Sequence, residues 1–429
     1  MTSDAPSVSA TTPDATAARV PTGPVAGFVP ALEGMRGLAA VGVLLTHVAF
    51  QTGTFSVPVV GPLLGRLDLA VAVFFALSGF LLWRPHAAAA RGLGPVPSAR
   101  RYLLHRAARI LPVYWVVVIL VLALLPGAGG GLGLWLANLT LVQVFVPLSL
   151  TQGLTQMWSL SVEVAFYLLL PLFGWLLVRL SGPRARWRVP VLLGVAAAST
   201  AWTFLPIATV DGVNIENWLP GYLSWFAAGM VVAETAAEVA ARPAGSVRPR
   251  LARIADRRWT LLAVAAVAFA VAATPVAGEQ DLTTPAAWQF AVKVSLGALV
   301  SFCLLAPLVL GTSVRTRWLG GEFAVTIGRW SYGIFVWHLA VLAVVFPVLG
   351  ISPFAGQFPL VAAATLVLTV PVAAAGYALI EEPVRVFVRD RERRRRAVRP
   401  ASEDDSGEFA AVASNTETAG AATANTAAP

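Results

Sequence analysis

The sequence predicts an all-α, polytopic membrane protein of about ten transmembrane helices, with both termini in the cytoplasm. Three observations carry this. The 429 residues are 57% hydrophobic and only 12% charged, with a mean hydropathy of +0.73, far too apolar for a soluble globular chain of this length. A bilayer core about 30 Å thick takes about 20 apolar residues of helix, and the chain offers ten such stretches. Arginines gather in every second loop between those stretches, which sets their orientation.

Taken in order, residues 1–30 are rich in Ala, Ser, Thr, Pro and Val, with Arg19 the single base, and read as a disordered tail rather than a secretory signal. The transmembrane domain is expected over residues 31–385. Its spans lie near 32–50, 68–84, 108–126, 158–179, 188–206, 218–238, 259–275, 288–310, 327–349 and 356–382. An eleventh stretch, "LGLWLANLTLVQVFV" from Leu132, is short and reads as half-spanning or interfacial. Arg91, Arg100, Arg101 and Arg106 lie between spans two and three, and Arg184 and Arg186 follow span four. Arg242, Arg248, Arg250, Arg253, Arg257 and Arg258 follow span six, and Arg315 and Arg317 follow span eight. The intervening loops carry Arg66 with Asp68, acids alone or nothing charged, so the arginine-rich loops are assigned to the cytoplasm of a multi-pass cell-membrane protein. Residues 386–429 begin with the basic run "RDRERRRR" and end in a low-complexity, disordered tail.

Charge and cysteine usage exclude other classes. The net charge of +9 is spread over loops between apolar segments rather than over one soluble face, so no nucleic-acid partner is expected. Cys303 is the one cysteine and sits in an apolar run, so neither a disulfide framework nor a cysteine-ligated metal site is expected.

Ionisable groups inside spans are costly, and each is a candidate for function. Arg36 and His47 in "LEGMRGLAAVGVLLTH" are eleven positions apart, which at 100° per residue brings them within about 20° of one face and about 16 Å along the axis. A neutral imidazole there is either a base for a hydroxyl proton or hydrogen-bonding glue between helices. Glu163 in "MWSLSVEVAFYLLLP" either orients an imidazole, pairs with an arginine or is a structural buried acid. His338 in "WSYGIFVWHLAV" is a second base, a partner for Glu163, or glue. By depth, His47, Glu163 and His338 are expected at the middle or outer half of one cavity. Arg101, Arg106 and Arg109 crowd the entrance of span three beside Tyr114 and Trp115, where guanidinium groups clasp phosphate or simply obey topology. Ser78 and Gly79 in "ALSGFLLWR" let helices or a ligand approach closely, and Glu381, Glu382 and Pro383 mark the end of span ten as a cap.

These motifs, in this order, resemble the acyltransferase-3 family of integral-membrane acyltransferases, which includes O-acetyltransferases of cell-surface polysaccharides and acylases of macrolide sugars. The segments are "LEGMRGLAAVGVLLTH", "FFALSGFLL", "RAARILPVYW", "WSLSVEVAFYLLLP", "SYGIFVWH" and "IEEP", and the resemblance covers approximately residues 28–385. It implies that His47 is essential, with the family's arginine at Arg36, its basic motif at Arg106 and Arg109, and its buried glutamate at Glu163. One departure stands out: where the family usually has an aspartate before the paired phenylalanines, this chain has Ala72, with Asp68 one turn earlier.

The resulting expectation is transfer of an acyl group, acetyl first, from acyl-CoA to a hydroxyl of a sugar, polysaccharide or glycosylated small molecule. The catalytic set is His47, Glu163 and His338; the donor-binding set is Arg36, Arg106, Arg109, Tyr114 and Ser78. Acetyl-CoA or another acyl-CoA acts as substrate, with no permanently bound cofactor and no metal. The partners are the acyl-CoA donor, the acceptor and the lipid bilayer, and the resemblance implies an enzyme that either stands alone or works with a separate partner protein. The competing class is a transporter or flippase for a glycan or anionic solute, for which buried charges also suffice.

Overall fold

The computed structural model describes residues 27–280, 283–312 and 317–398. The remaining residues, which include most of both predicted tails and Arg315, lie outside it. Lipid supplies no hydrogen-bond partner to the backbone, so each apolar stretch must satisfy its own amides, and each folds as a helix. Among the described residues there are fourteen α-helices and no strand. They are α1 (Pro30–Gln51), α2 (Val60–Gly65), α3 (Ala70–Ala89), α4 (Ala99–Leu124), α5 (Leu132–Leu139), α6 (Met157–Leu176) and α7 (Arg188–Thr200). They continue as α8 (Leu223–Ala241), α9 (Arg250–Ala255), α10 (Arg258–Ala272), α11 (Ala287–Leu310), α12 (Glu322–Leu349), α13 (Phe358–Gly376) and α14 (Glu382–Val398).

Eight helical segments among the described residues are long and apolar enough to cross a membrane. The other two expected spans are the shorter helices α7, of 13 residues, and α10, of 15. Both lie alongside longer helices, end against end. Arg188 Nη1 donates to Leu177 O at the end of α6 (2.9 Å), while Ser199 Oγ at the far end of α7 donates to Pro220 O before α8 (2.7 Å). Just before α10, Asp256 accepts from the Thr312 amide beyond α11 (3.1 Å), and Pro275 O after α10 accepts from Gln289 Nε2 near the start of α11 (2.9 Å). The stretch from Leu132 forms only the 8-residue α5, about 12 Å long, so it does not cross. Past residue 385 the helix continues through the basic run to Val398, in line with the last span.

Glycines set the two closest crossings. A Cβ on Gly79 of α3 would strike Phe226 O of α8, and one on Gly229 of α8 would strike Ala76 O. A Cβ on Gly328 of α12 would strike Glu33 O of α1. Backbones in van der Waals contact are how apolar helices associate when lipid is as apolar as leucine. Stacked Phe75, Phe226 and Phe166, with centroids 4.4 and 3.9 Å apart, bind α3, α8 and α6 into one core.

A second tie, not anticipated from the sequence, lies at the arginine-rich end. Glu234 of α8 is fully buried and accepts from Trp83 Nε1 (2.7 Å), Arg188 Nε (2.6 Å) and Arg91 Nη1 (2.5 Å). The Arg188 guanidinium also lies 5.1 Å from the Trp83 ring centroid. One carboxylate thereby joins α3, α7 and α8.

Candidate active site

Four of the five expected donor-binding residues converge from three helices. Arg36 (α1), Ser78 (α3), and Arg106 and Arg109 (α4) line one narrow cavity, together with Glu163 (α6) of the expected catalytic set, Tyr167 and Tyr332. Its free space is about 50 Å³, room for a few waters rather than for a ligand of 300–1,000 Å³. α4 brings two arginines in because positions 106 and 109 are three apart and share a helix face. Neither the hydrogen bonds nor the ion pairs of the described residues include Arg36, Arg106 or Arg109, and Arg106 Nε is buried without an acceptor. Acids are present at longer range: Glu381, Glu33 and Glu163 all act electrostatically on Arg109.

Glu163 is held by neighbours other than those expected. Its Oε1 accepts hydrogen bonds from Ser78 Oγ and from Tyr167 Oη, the latter at 2.6 Å. It neither touches His338 nor makes a direct ion pair with an arginine. Ser78 therefore serves the carboxylate, linking α3 to α6. Tyr114 and Arg101 fall outside the cavity. Tyr114 is fully buried and donates to Asn138 O of α5 (2.5 Å), and Arg101 pairs with Glu392 of α14 (3.0 Å). Tyr114 thus fastens the half-spanning helix rather than facing a donor.

His47 and His338 sit together, away from these residues. Their ring centroids are 5.0 Å apart, and His338 Nε2 lies 3.2 Å from His47 Nδ1. Carbonyl oxygens fix the tautomers, because they only accept. His338 Nδ1 lies 2.7 Å from Phe335 O, and His47 Nδ1 lies 2.7 Å from Val43 O, so both Nδ1 atoms carry the proton. His47 Nδ1–H is then shared between Val43 O and the lone pair of His338 Nε2. The remaining nitrogen, His47 Nε2, carries a free lone pair. His338 is completely buried and His47 only partly so.

Two phenylalanines stand between the parts. Phe74 and Phe335 both line the arginine cavity and meet edge to face at 6.1 Å, and the Phe335 ring lies 6.0 Å from that of His338. His47, Glu163 and His338 therefore do not share one cavity. On the far side, Thr46 Oγ1 donates to Gly65 O (2.7 Å) and draws the Arg66–Leu69 turn onto α1. That turn carries Asp68, which pairs with Lys293 Nζ at 2.6 Å, leaves Oδ1 without a partner and lies within electrostatic reach of His47.

Tyr167, Tyr332 and Glu381 were not singled out for this site from the sequence. Tyr167 was detectable, four positions after Glu163 and so on its face. Glu381 was read as a cap; it is 3% exposed, in a π-helical turn (Tyr377–Glu381) that breaks the register of the last span, a device often found at functional sites. Tyr332, whose hydroxyl donates to Ile110 O (2.8 Å), gave no such signal.

The chain is similar to known proteins over most of its length. The chain is 29% identical over 352 residues to the exopolysaccharide production protein ExoZ of Rhizobium meliloti, covering 80% of this chain and 94% of that one. It is 29% identical over 328 residues to the acyltransferase MdmB of Streptomyces mycarofaciens, covering 73% and 79%. To the peptidoglycan O-acetyltransferase OatA of Listeria monocytogenes it is 22% identical over 388 residues, 83% of this chain and 56% of that one. No solved structure matches. The acyltransferase-domain model of the acyltransferase-3 family matches residues 29–378, nearly the whole helical bundle and all of the cavity apart from Glu381 beside it, and the chain belongs to that family.

Proposed function

We propose that this acyltransferase moves an acyl group, acetyl first, from acyl-CoA at the arginine-rich surface to a hydroxyl of a sugar or glycosylated acceptor on the opposite side. The observation that carries the reading is the cavity with three guanidinium groups and no directly paired carboxylate. Leaving guanidinium groups without a counter-ion is costly, so the cavity suits an anionic occupant, and guanidinium recognises phosphate bidentately. The alternation of arginine-rich loops supports a cytoplasmic face on that side, with both termini there, and hence a cytoplasmic donor.

In this reading the nucleotide phosphates rest on Arg106 and Arg109, with Arg36 at the inner gate, and the pantetheine arm passes Phe74 and Phe335 once the cavity widens. His47 Nε2 takes the proton of the acceptor hydroxyl as its oxygen attacks the thioester carbonyl carbon. The carbon–sulfur bond then breaks, and the departing thiolate takes that proton from the imidazolium. The same lone pair also allows transient acylation of His47 itself. His338 acts as a positioning residue, holding the proton of His47 on Nδ1. Asp68 supplies a carboxylate near the imidazolium where Ala72 offers none. Glu163, fixed by Ser78 and Tyr167, lines the arginine cavity without pairing with any of its guanidinium groups.

Purified protein in liposomes with labelled acetyl-CoA and glycan acceptors tests the reading. Label appears on the acceptor if it is right; passage of unmodified glycan without any need for acyl-CoA would instead establish a transporter. In the same assay Arg109→Ala is expected to raise the donor KM by about 10–100-fold with a smaller change in kcat. That range reflects about 1.5–3 kcal/mol for a hydrogen bond to a charged group. A KM within twofold of the parent would remove Arg109 from the donor site.

A further inference from the structure

We infer that the groove between α1, α10 and α11 is a binding site for an anionic glycerophospholipid, separate from the acyl-transfer site. α1 packs on α3 and α12, and α10 packs on α11, which leaves a furrow between α1 and α10. The furrow holds a cavity of about 540 Å³, the size of a small-ligand site, with walls that are almost wholly apolar, from Met35 and Gly42 on α1 to Leu304 on α11.

Its ends differ in chemistry. At the arginine-rich surface it is closed by Arg258, Trp259 and Trp318, and the Arg258 guanidinium lies 5.0 Å from the Trp259 ring centroid. No ion pair involves Arg258 among the described residues, and the nearby Asp256 is already taken by Arg248 and Thr312. Indole rings favour the headgroup level of a bilayer, and a basic pocket between helices at that level suits a phosphate. Arg258 and Phe269, both lining the furrow, are eleven residues apart on α10, about 16 Å, close to the depth of one leaflet. A charged mouth above one leaflet of apolar wall matches a phosphate with an acyl chain below it, and a free phosphate would leave the apolar length empty.

The site lies on the other side of α1 from the chemistry. Met35, Leu38, Ala39 and Gly42 face the groove, while Arg36 and His47 point roughly 120° around the helix. The bound lipid therefore backs the helix that carries both residues without entering the arginine cavity or reaching the His47–His338 pair, and its binding can be measured whether or not the acyl-transfer reading holds.

Native mass spectrometry of the purified full chain, titrated with phosphatidylglycerol or phosphatidylcholine, tests this. One phosphatidylglycerol is expected to be retained at least about tenfold more tightly than phosphatidylcholine. Arg258→Ala is expected to lower that retention about tenfold, and Leu38→Trp, which places an indole in the groove, to abolish it. Arg250→Ala, on the same surface but outside the groove, leaves it unchanged. Equal retention of the two lipids, or undiminished phosphatidylglycerol retention by both Arg258→Ala and Leu38→Trp, would overturn the assignment.

Discussion

Replacing His47 by alanine is expected to cut acyl transfer by about 10²–10⁴-fold, the usual contribution of a positioned general base. The geometry behind this expectation is specific. His47 Nδ1–H is committed to Val43 O and to His338 Nε2, so Nε2 is the nitrogen available to an acceptor hydroxyl. Donor affinity is expected to stay within about threefold, because Arg36, Arg106 and Arg109 lie in a cavity that His47 does not line. His338→Gln separates base from support: it is expected to lower kcat and shift the pH–rate profile while leaving the donor KM in place. Near-normal turnover by purified His47→Ala would sink the mechanism, whatever the effect at His338.

The second large effect is on stability. Glu234→Ala leaves Arg91 and Arg188 buried with no counter-charge, at 7% and 2% side-chain exposure, and removes the acceptor for Trp83 Nε1 as well. Breaking a buried pair by removing one partner costs about 3–5 kcal/mol. The variant is expected to lose its monodisperse gel-filtration peak at a temperature where the parent keeps it. Glu234→Gln, which keeps an acceptor but not the charge, should fall between them. A melting midpoint for Glu234→Ala equal to the parent's would show that the three donors find other partners and that this carboxylate does not hold α3, α7 and α8 together.

These two residues show how differently the site and the scaffold were written in the residue order. His47 was legible because a lone histidine after a long apolar run stands out, and its eleven-residue offset from Arg36 is a helical repeat. Glu234 was not, since "MVVAETAAEVAA" runs into a polar loop and a glutamate near a span end looks like ordinary surface. Tyr114 misled for the opposite reason: its place beside the arginine cluster suggested a ligand, whereas its hydroxyl reaches Asn138, 24 residues on.

The helical class and the eight long apolar helices found among the described residues could be read along the chain, as could the candidates Arg36, Arg106, Arg109 and His47. The bilayer imposes hydropathy and charge placement segment by segment, and those constraints are local. The pairing of His47 with His338, 291 residues apart, and of Glu163 with Ser78, 85 apart, could not. Nor could the phenylalanine barrier that splits the expected single cavity in two. Such contacts depend on how each helix is rotated and how closely it crosses its neighbours. Those angles follow from small-residue packing between segments distant in sequence, about which the period of any one helix carries no information.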